Sequence, residues 1–318
     1  MVMVVWFFSN ITLFFCSGDD NIQVYTLTIL KEEQFLLFEI FDSFEAIMST
    51  TSTQRVMVYC DFTEAMNHVI IHGLRISQIF KKELCLFHPY PSHQREAKVE
   101  AQRTLALLIR KLKEDFPQLP ISSLTLKGDL QACINQITEE YDAILLVLPA
   151  EKLKTKIRAL QISPIPFLFT GSSLPESLRY DRVMLPVDYR KVMKDTSLWA
   201  SYFGRFNQST IEAMSSNESN NENKIMIRKN LLFIQQLLDK LRVDVEFTTA
   251  VKGSFGLPFE ALKRCRDDAF NLLIIPASQH ISLLDLILGL PETKLIKQAG
   301  NTPVLCINPK RDMYILCD

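Results

Sequence analysis

The feature that most constrains this chain is that it repeats itself. "RVMVYCD" at 55–61 and "RVMLPVD" at 182–188 align at a shift of 127 residues, each a β-rich apolar run closed by an aspartate. At the same shift "YDAILLVLPAE" (141–151) meets "FNLLIIPAS" (270–278), with Pro149 on Pro276. "LTLKGDL" around Gly128 answers "TAVKGSF" around Gly253, and "IPFLFTG" (165–171) answers "TPVLCIN" (302–308). A pattern that recurs in this order is a tandem duplication, and 318 residues accommodate two domains of ordinary size.

Within each half, strand-like runs alternate with helical patterns. In the first half, strands are expected at 55–60, 83–90, 122–128, 143–149 and 166–170. Helices are expected between them, near 63–80, 94–115, 129–140 and 151–160. The strands are continuously apolar, as in a parallel sheet covered on both faces; a half-exposed strand would alternate. Right-handed crossovers then give an α/β fold of two tandem doubly wound parallel five-stranded sheets. The expected boundaries are an N-terminal extension at 1–47, a first domain at 48–171, a linker at 172–180 and a second domain at 181–318. "SSNESNNEN" (215–223) reads as a flexible polar insert in the second half.

Composition narrows the function. At 47% hydrophobic and 22% charged residues the chain is globular. A net charge of −1 provides no field to hold nucleic acid or an anionic membrane. Seven cysteines, an odd number without a CxxC spacing, fit free thiols in a reducing, cytoplasmic setting.

The N-terminal stretch "MVMVVWFFSNITLFFCSG" has no Lys or Arg before Lys31 to form a signal-peptide n-region, and Ser9, Asn10 and Thr12 interrupt it too early for a membrane span. "KEEQFLLFEIFDSFEAI" has the pattern of an amphipathic helix. Two readings stay open: translation beginning at Met48, or a real extra strand and helix or weak anchor.

The ordered set of motifs resembles the universal stress protein domain: strands ending in Asp61 and Asp188, "LCLFHP", "KGDLQACINQITEEYDAILLVLP", and "GNTPVLCINP" at the end. The resemblance covers nearly all of residues 55–309 as two copies and implies the adenine nucleotide alpha hydrolase-like fold. Nucleotide-binding members resemble one another in a loop after the fourth strand: Gly, two residues, Gly, nine residues, Gly, then Ser or Thr. Glycine suits such a loop because backbone amides must approach phosphate oxygens closely. In the second half these positions hold Pro276, Gln279, Gly289 and Leu290, so one of four survives. Pro276 has no N–H and Leu290 no hydroxyl. In the first half Pro149 and Lys152 take the glycine positions and the long loop is missing.

What the resemblance retains is the aspartate that contacts the base, Asp61 or Asp188, and the turn glycines Gly128 and Gly253. The aspartates read equally as caps of the following helices, and the glycines read more simply as turn chemistry. The candidate ligand residues are therefore Asp188, Gly253, Gln279 and Gly289 in the second half, with Asp61 and Gly128 in the first. The basic segment "EKLKTKIR" (151–158) reads most simply as a solvated helix face, although its lysines lie where phosphate would be held. His68 and His72 have i, i+4 zinc spacing but no third ligand in sequence, and His88 and His93 frame a Pro-rich turn. Cys60 precedes Asp61, whose carboxylate disfavours a thiolate.

Three functions fit these residues. The first is a regulatory or interaction module of universal stress protein type, not an enzyme and with no firm cofactor. The second is an ATP- or AMP-binding protein using the second domain. The third is a metal- or redox-responsive module. The expected partners are proteins or a second copy, with no nucleic acid and no membrane, and "PFLFTG" and "VLCINP" are placed to pair within the chain and cover open sheet edges.

Overall fold

The computed structural model describes residues 2–7, 10–17, 21–28, 54–91, 95–174, 178–278 and 290–308. It separates into two compact units, Met1–Ser52 and Thr53–Asp318. The first unit contains β1 (Val2–Phe7), β2 (Asn10–Ser17) and β3 (Asn21–Thr28), which form an antiparallel sheet in that order. The amphipathic stretch 31–47 lies outside the described residues.

The second unit contains both halves. The first half runs β4 (Arg55–Tyr59), α1 (Met66–Phe80), β5 (Glu83–Tyr90), α2 (Arg95–Asp115), β6 (Ile121–Lys127), α3 (Leu130–Glu139), β7 (Ala143–Pro149), α4 (Leu153–Ile162) and β8 (Phe167–Thr170). The second runs β9 (Arg182–Val187), α5 (Met193–Asn207), β10 (Thr210–Ser215), α6 (Asn221–Leu241), β11 (Val245–Thr249), α7 (Leu257–Asp267), β12 (Leu272–Pro276), α8 (Pro291–Gln298) and β13 (Val304–Ile307). Among the described residues no helix is long and apolar enough to cross a membrane.

The halves do not keep separate sheets. They share one ten-stranded sheet of order β11-β10-β9-β12-β13-β8-β7-β4-β5-β6. Every neighbouring pair is parallel except β13 and β8, which run antiparallel with Leu305 opposite Leu168 and Cys306 opposite Phe167. These facing side chains are fully buried, so the last strand of each half is an internal strand rather than an exposed edge.

Helices cover both faces. α1, α2, α5 and α6 contribute to one core, which runs under both halves, and α3, α4, α7 and α8 contribute to the other. On the first face Phe80 of α1 meets Trp199, Phe203 and Phe206 of α5 and its end, with ring centroids 6.2, 5.2 and 6.1 Å away. The stretch 215–223 is less loop than its composition suggests. Ser215 ends β10, and Asn220 caps α6 by accepting from the amides of Glu222 and Asn223.

Candidate functional site

The carboxyl ends of the strands form the edge where open α/β sheets bind ligands. In the first half, Cys60 continues the ladder by donating its N–H to Phe87 O at 2.8 Å. Asp61 follows, and its Oδ1 accepts from Thr63 Oγ1 at 2.6 Å and from the Thr63 amide at 3.2 Å. The carboxylate thus closes its own turn and does not cap α1, whose N-cap is Ala65. Phe62 adopts φ 58°, and its ring lies 4.6 Å from that of His88. His88 Nδ1 is 2.7 Å from Cys60 O. A carbonyl only accepts, so Nδ1 carries the proton.

Lys156 corrects the expectation of a solvated lysine face on α4. It is only 3% exposed. Its ammonium donates to Pro149 O at 2.8 Å and Glu151 O at 2.7 Å, and lies 5.4 Å from the centre of the Tyr59 ring. Burial lowers its pKa to about 8 against the opposing pull of Asp61. Lys156 is therefore spent on the carbonyls at and just beyond the end of β7. Gly128 has φ +125° and opens the turn into α3, where Asp129 caps by accepting from the Ala132 amide.

In the second half, the Asp188 side chain is 2% exposed. Its Oδ1 accepts from the Arg190 amide at 2.8 Å, and its Oδ2 accepts from Arg190 Nε at 2.7 Å and Nη2 at 2.6 Å. Asn230 fixes the same turn by donating to Asp188 O and Arg190 O. The loop after β11 is likewise filled from within. Glu260 accepts from the amides of Val251 and Lys252, and Glu218 accepts from the Ser254 amide and hydroxyl. The Ser254 hydroxyl, then its amide, hold the Glu218 carboxyl below its ordinary pKa. Gly253 does not occupy the left-handed region. A Cβ there would meet Glu218 Oε1 at 3.3 Å, so this glycine allows the carboxylate to approach.

Beyond β12 the turn is also closed from within. Glu292, in the first turn of α8 and 3% exposed, accepts from the Ser278 amide at 3.2 Å and the Ser278 hydroxyl at 2.8 Å. The carboxylate lies at the positive end of the helix, where an anion is favoured. Gln279 and Gly289 lie outside the described residues. The site therefore brings together Gly253 with Glu218, while Asp61 acts on Lys156 through its charge alone. Sequence reasoning missed Lys156, Arg190, Glu218 and Glu292. The only signal for Glu292 was its acid type in a first helical turn.

His72 is buried, and its Nδ1 bonds Tyr180 Oη across 108 residues. Among the described residues no cluster of three or more His, Cys, Asp or Glu is placed to hold a metal. The thiols of Cys60, Cys85, Cys133, Cys265 and Cys306 are free and buried, and burial raises the pKa of each, to about 11 for Cys85 and Cys133.

No family model and no curated protein matches the chain. Solved structures do. A universal stress protein from Archaeoglobus fulgidus DSM 4304 superposes with a TM-score of 0.62 at 12% identity, over 81% of this chain and 99% of that one. The fold is that of the universal stress proteins. A functionally unknown protein from Pseudomonas aeruginosa PAO1 gives a TM-score of 0.52 at 13% identity, over 80% of this chain and 92% of its own. The cytoplasmic domain of a prokaryotic cation chloride cotransporter also gives 0.52, at 14% identity, over 80% of this chain and 94% of its own. Each of these matches covers about four fifths of the chain, more than either half alone. Within it, Asp61 and Asp188 occupy equivalent positions at the ends of β4 and β9.

Proposed function

We propose that this chain is a stress-response regulatory or interaction module of universal stress protein type, working through protein contacts and not through nucleotide turnover. The observation that carries this reading is the buried Glu292 carboxylate on the amide and hydroxyl of Ser278. A phosphate entering there would displace an internal anion, or face it at close range in a poorly solvated site. Lys156 in the first half and Arg190 in the second support the same reading, because Lys156 spends its charge on internal carbonyls and Arg190 occupies the Asp188 carboxylate. The β8–β13 pairing supports a further element: the two halves act as an internal dimer, leaving the helical faces and outer edges for partners. The reading assigns the chain no reaction and places it in the cytoplasm.

The test is titration of the full chain with ATP and magnesium, read by calorimetry and native mass spectrometry. No binding at millimolar ATP is the expected result. A stoichiometric ATP or AMP adduct on the wild-type chain would establish the alternative, a nucleotide-binding second domain using Asp188 and Gly253. Binding that appears only in Glu292→Gln would show that this carboxylate keeps the site closed.

A further inference from the structure

The helices of the first half leave a groove that the sheet edge does not explain. α1 packs on β4 and β7, while α2 packs on β6 and β5. Between them opens a cavity of about 460 Å³, inside the ~300–1,000 Å³ range of small-molecule sites. Its walls are apolar: Ile71 and Leu74 from α1, Leu108 and Leu112 from α2, and Phe116 just beyond α2. Ile71 is 39% exposed, unusual for an isoleucine on a helix that otherwise buries its apolar side.

Beside the neutral Asn67 and Gln78, three charged residues line the groove. Arg75 and Lys111 line it from opposite helices, with Asp115 one turn beyond Lys111. Arg75 has no carboxylate partner among the described residues. One of its terminal nitrogens donates to Asn207 Oδ1 at 3.1 Å and weakly to Arg179 O at 3.5 Å, both neutral acceptors. Its Nε is buried with no hydrogen-bond partner. With only neutral acceptors on its guanidinium, Arg75 keeps a charge beside the apolar cavity that an anionic group would complement.

We propose that this groove binds an anionic amphiphile, a single carboxylate head on an apolar tail of fatty-acid type. The tail lies between α1 and α2, and the head faces Arg75 and Lys111. Two cations against one anion on the wall favour a single negative head, and apolar surface on both sides favours an unbranched chain.

The probe is sodium dodecanoate below its micellar concentration, titrated calorimetrically into the full chain, with dodecanol as the uncharged control. One saturable site is expected, with dodecanol at least tenfold weaker. Ile71→Glu places a carboxylate on the half-exposed groove wall and should weaken dodecanoate at least tenfold. Lys111→Glu, on an exposed position, should weaken it several-fold. Circular dichroism of both variants checks that they remain folded. Absence of dodecanoate binding overturns the proposal. So does binding unchanged in both variants, equal affinity for dodecanol, or a groove that accepts only an acidic amphipathic peptide.

Discussion

The Tyr180 hydroxyl lies 2.5 Å from His72 Nδ1, joining the segment before β9 to the first helix of the first half. Both groups are fully buried, and no partner reaches His72 Nε2. Tyr180 itself stands at φ 56°, a conformation a bulky residue adopts only when its surroundings hold it.

This pair makes stability depend on pH. Burial, with His68 nearby, lowers the His72 pKa from 6.5 to about 4. The unfolded chain therefore binds a proton at His72 before the folded chain does. The contribution is fully present above pH 6.5 and is lost as pH falls from there toward 4, at up to about 1.4 kcal/mol per pH unit. Thermal melts at pH 7.5 and 5.0 should show this loss, and His72→Leu should flatten it. Tyr180→Phe should cost about 1–3 kcal/mol at pH 7.5 by leaving Nδ1 without its partner. An unchanged pH profile in His72→Leu would exclude this histidine as the cause.

Lys156 gives a second pH dependence, in an alkaline window. Its folded pKa of about 8 lies below the ordinary 10.5, so its stabilising contribution grows as pH rises from 8 toward 10.5 and is lost on the way down. Lys156→Met removes the donor from Pro149 O and Glu151 O. It should destabilise the chain by about 1–3 kcal/mol at pH 7, less whatever is recovered by not burying an ammonium. Urea denaturation at pH 7 and 9.5 should show the deficit of the variant widening at the higher pH.

The legible part of the fold was the part written in period and repetition. Runs such as Ala143–Pro149 are buried along their whole length, and continuous burial on both faces leaves an unbroken apolar signature. The pairing of Phe167–Thr170 with Val304–Ile307 was legible as two matching terminal runs, but the order of the ten strands was not, because it rests on contacts far apart in sequence. At the candidate site, Asp61 and Asp188 were visible as strand-ending acids, but not the groups they bond. Thr63 and Arg190 are ordinary loop residues until the turn brings them back. Lys156 reads as one lysine among several in "EKLKTKIR"; only the rotation of α4 against β7 buries it while Lys154 stays exposed.

The β8–β13 junction tests a backbone approach. A Cβ on Gly171 would overlap Gly300 O and lie 2.9 Å from Asn301 Cα. Backbone cannot swing aside as a flexible side chain can. Gly171→Ala should therefore cost about 1–3 kcal/mol in chemical denaturation, in the range of overpacked sites. Gly300→Ala, with nothing within 4 Å of its added Cβ but φ +60°, should cost only about 1–2 kcal/mol, from the left-handed backbone alone. A harmless Gly171→Ala would mean that the two turns can separate at this junction.

Asn308 fastens the halves on the opposite helical face. One side-chain nitrogen, buried just beyond β13, donates to Leu160 O at 2.9 Å, Gln161 O at 3.2 Å and Ser163 O at 2.8 Å. These carbonyls end α4 of the first half, where a helix has acceptors without intrahelical partners. An amide nitrogen has two protons, so three oxygens share them, and the replacement value is nearer two bonds than three. Asn308→Leu, similar in size and without donors, should lower stability by about 1–3 kcal/mol. Asn308→Asp should lower it further, since a carboxylate offers no donor and faces the same carbonyls. Urea denaturation at pH 7.5 gives the ordering directly. If Asn308→Asp were as stable as the wild type, the amide would not be the group that holds α4 to the last strand.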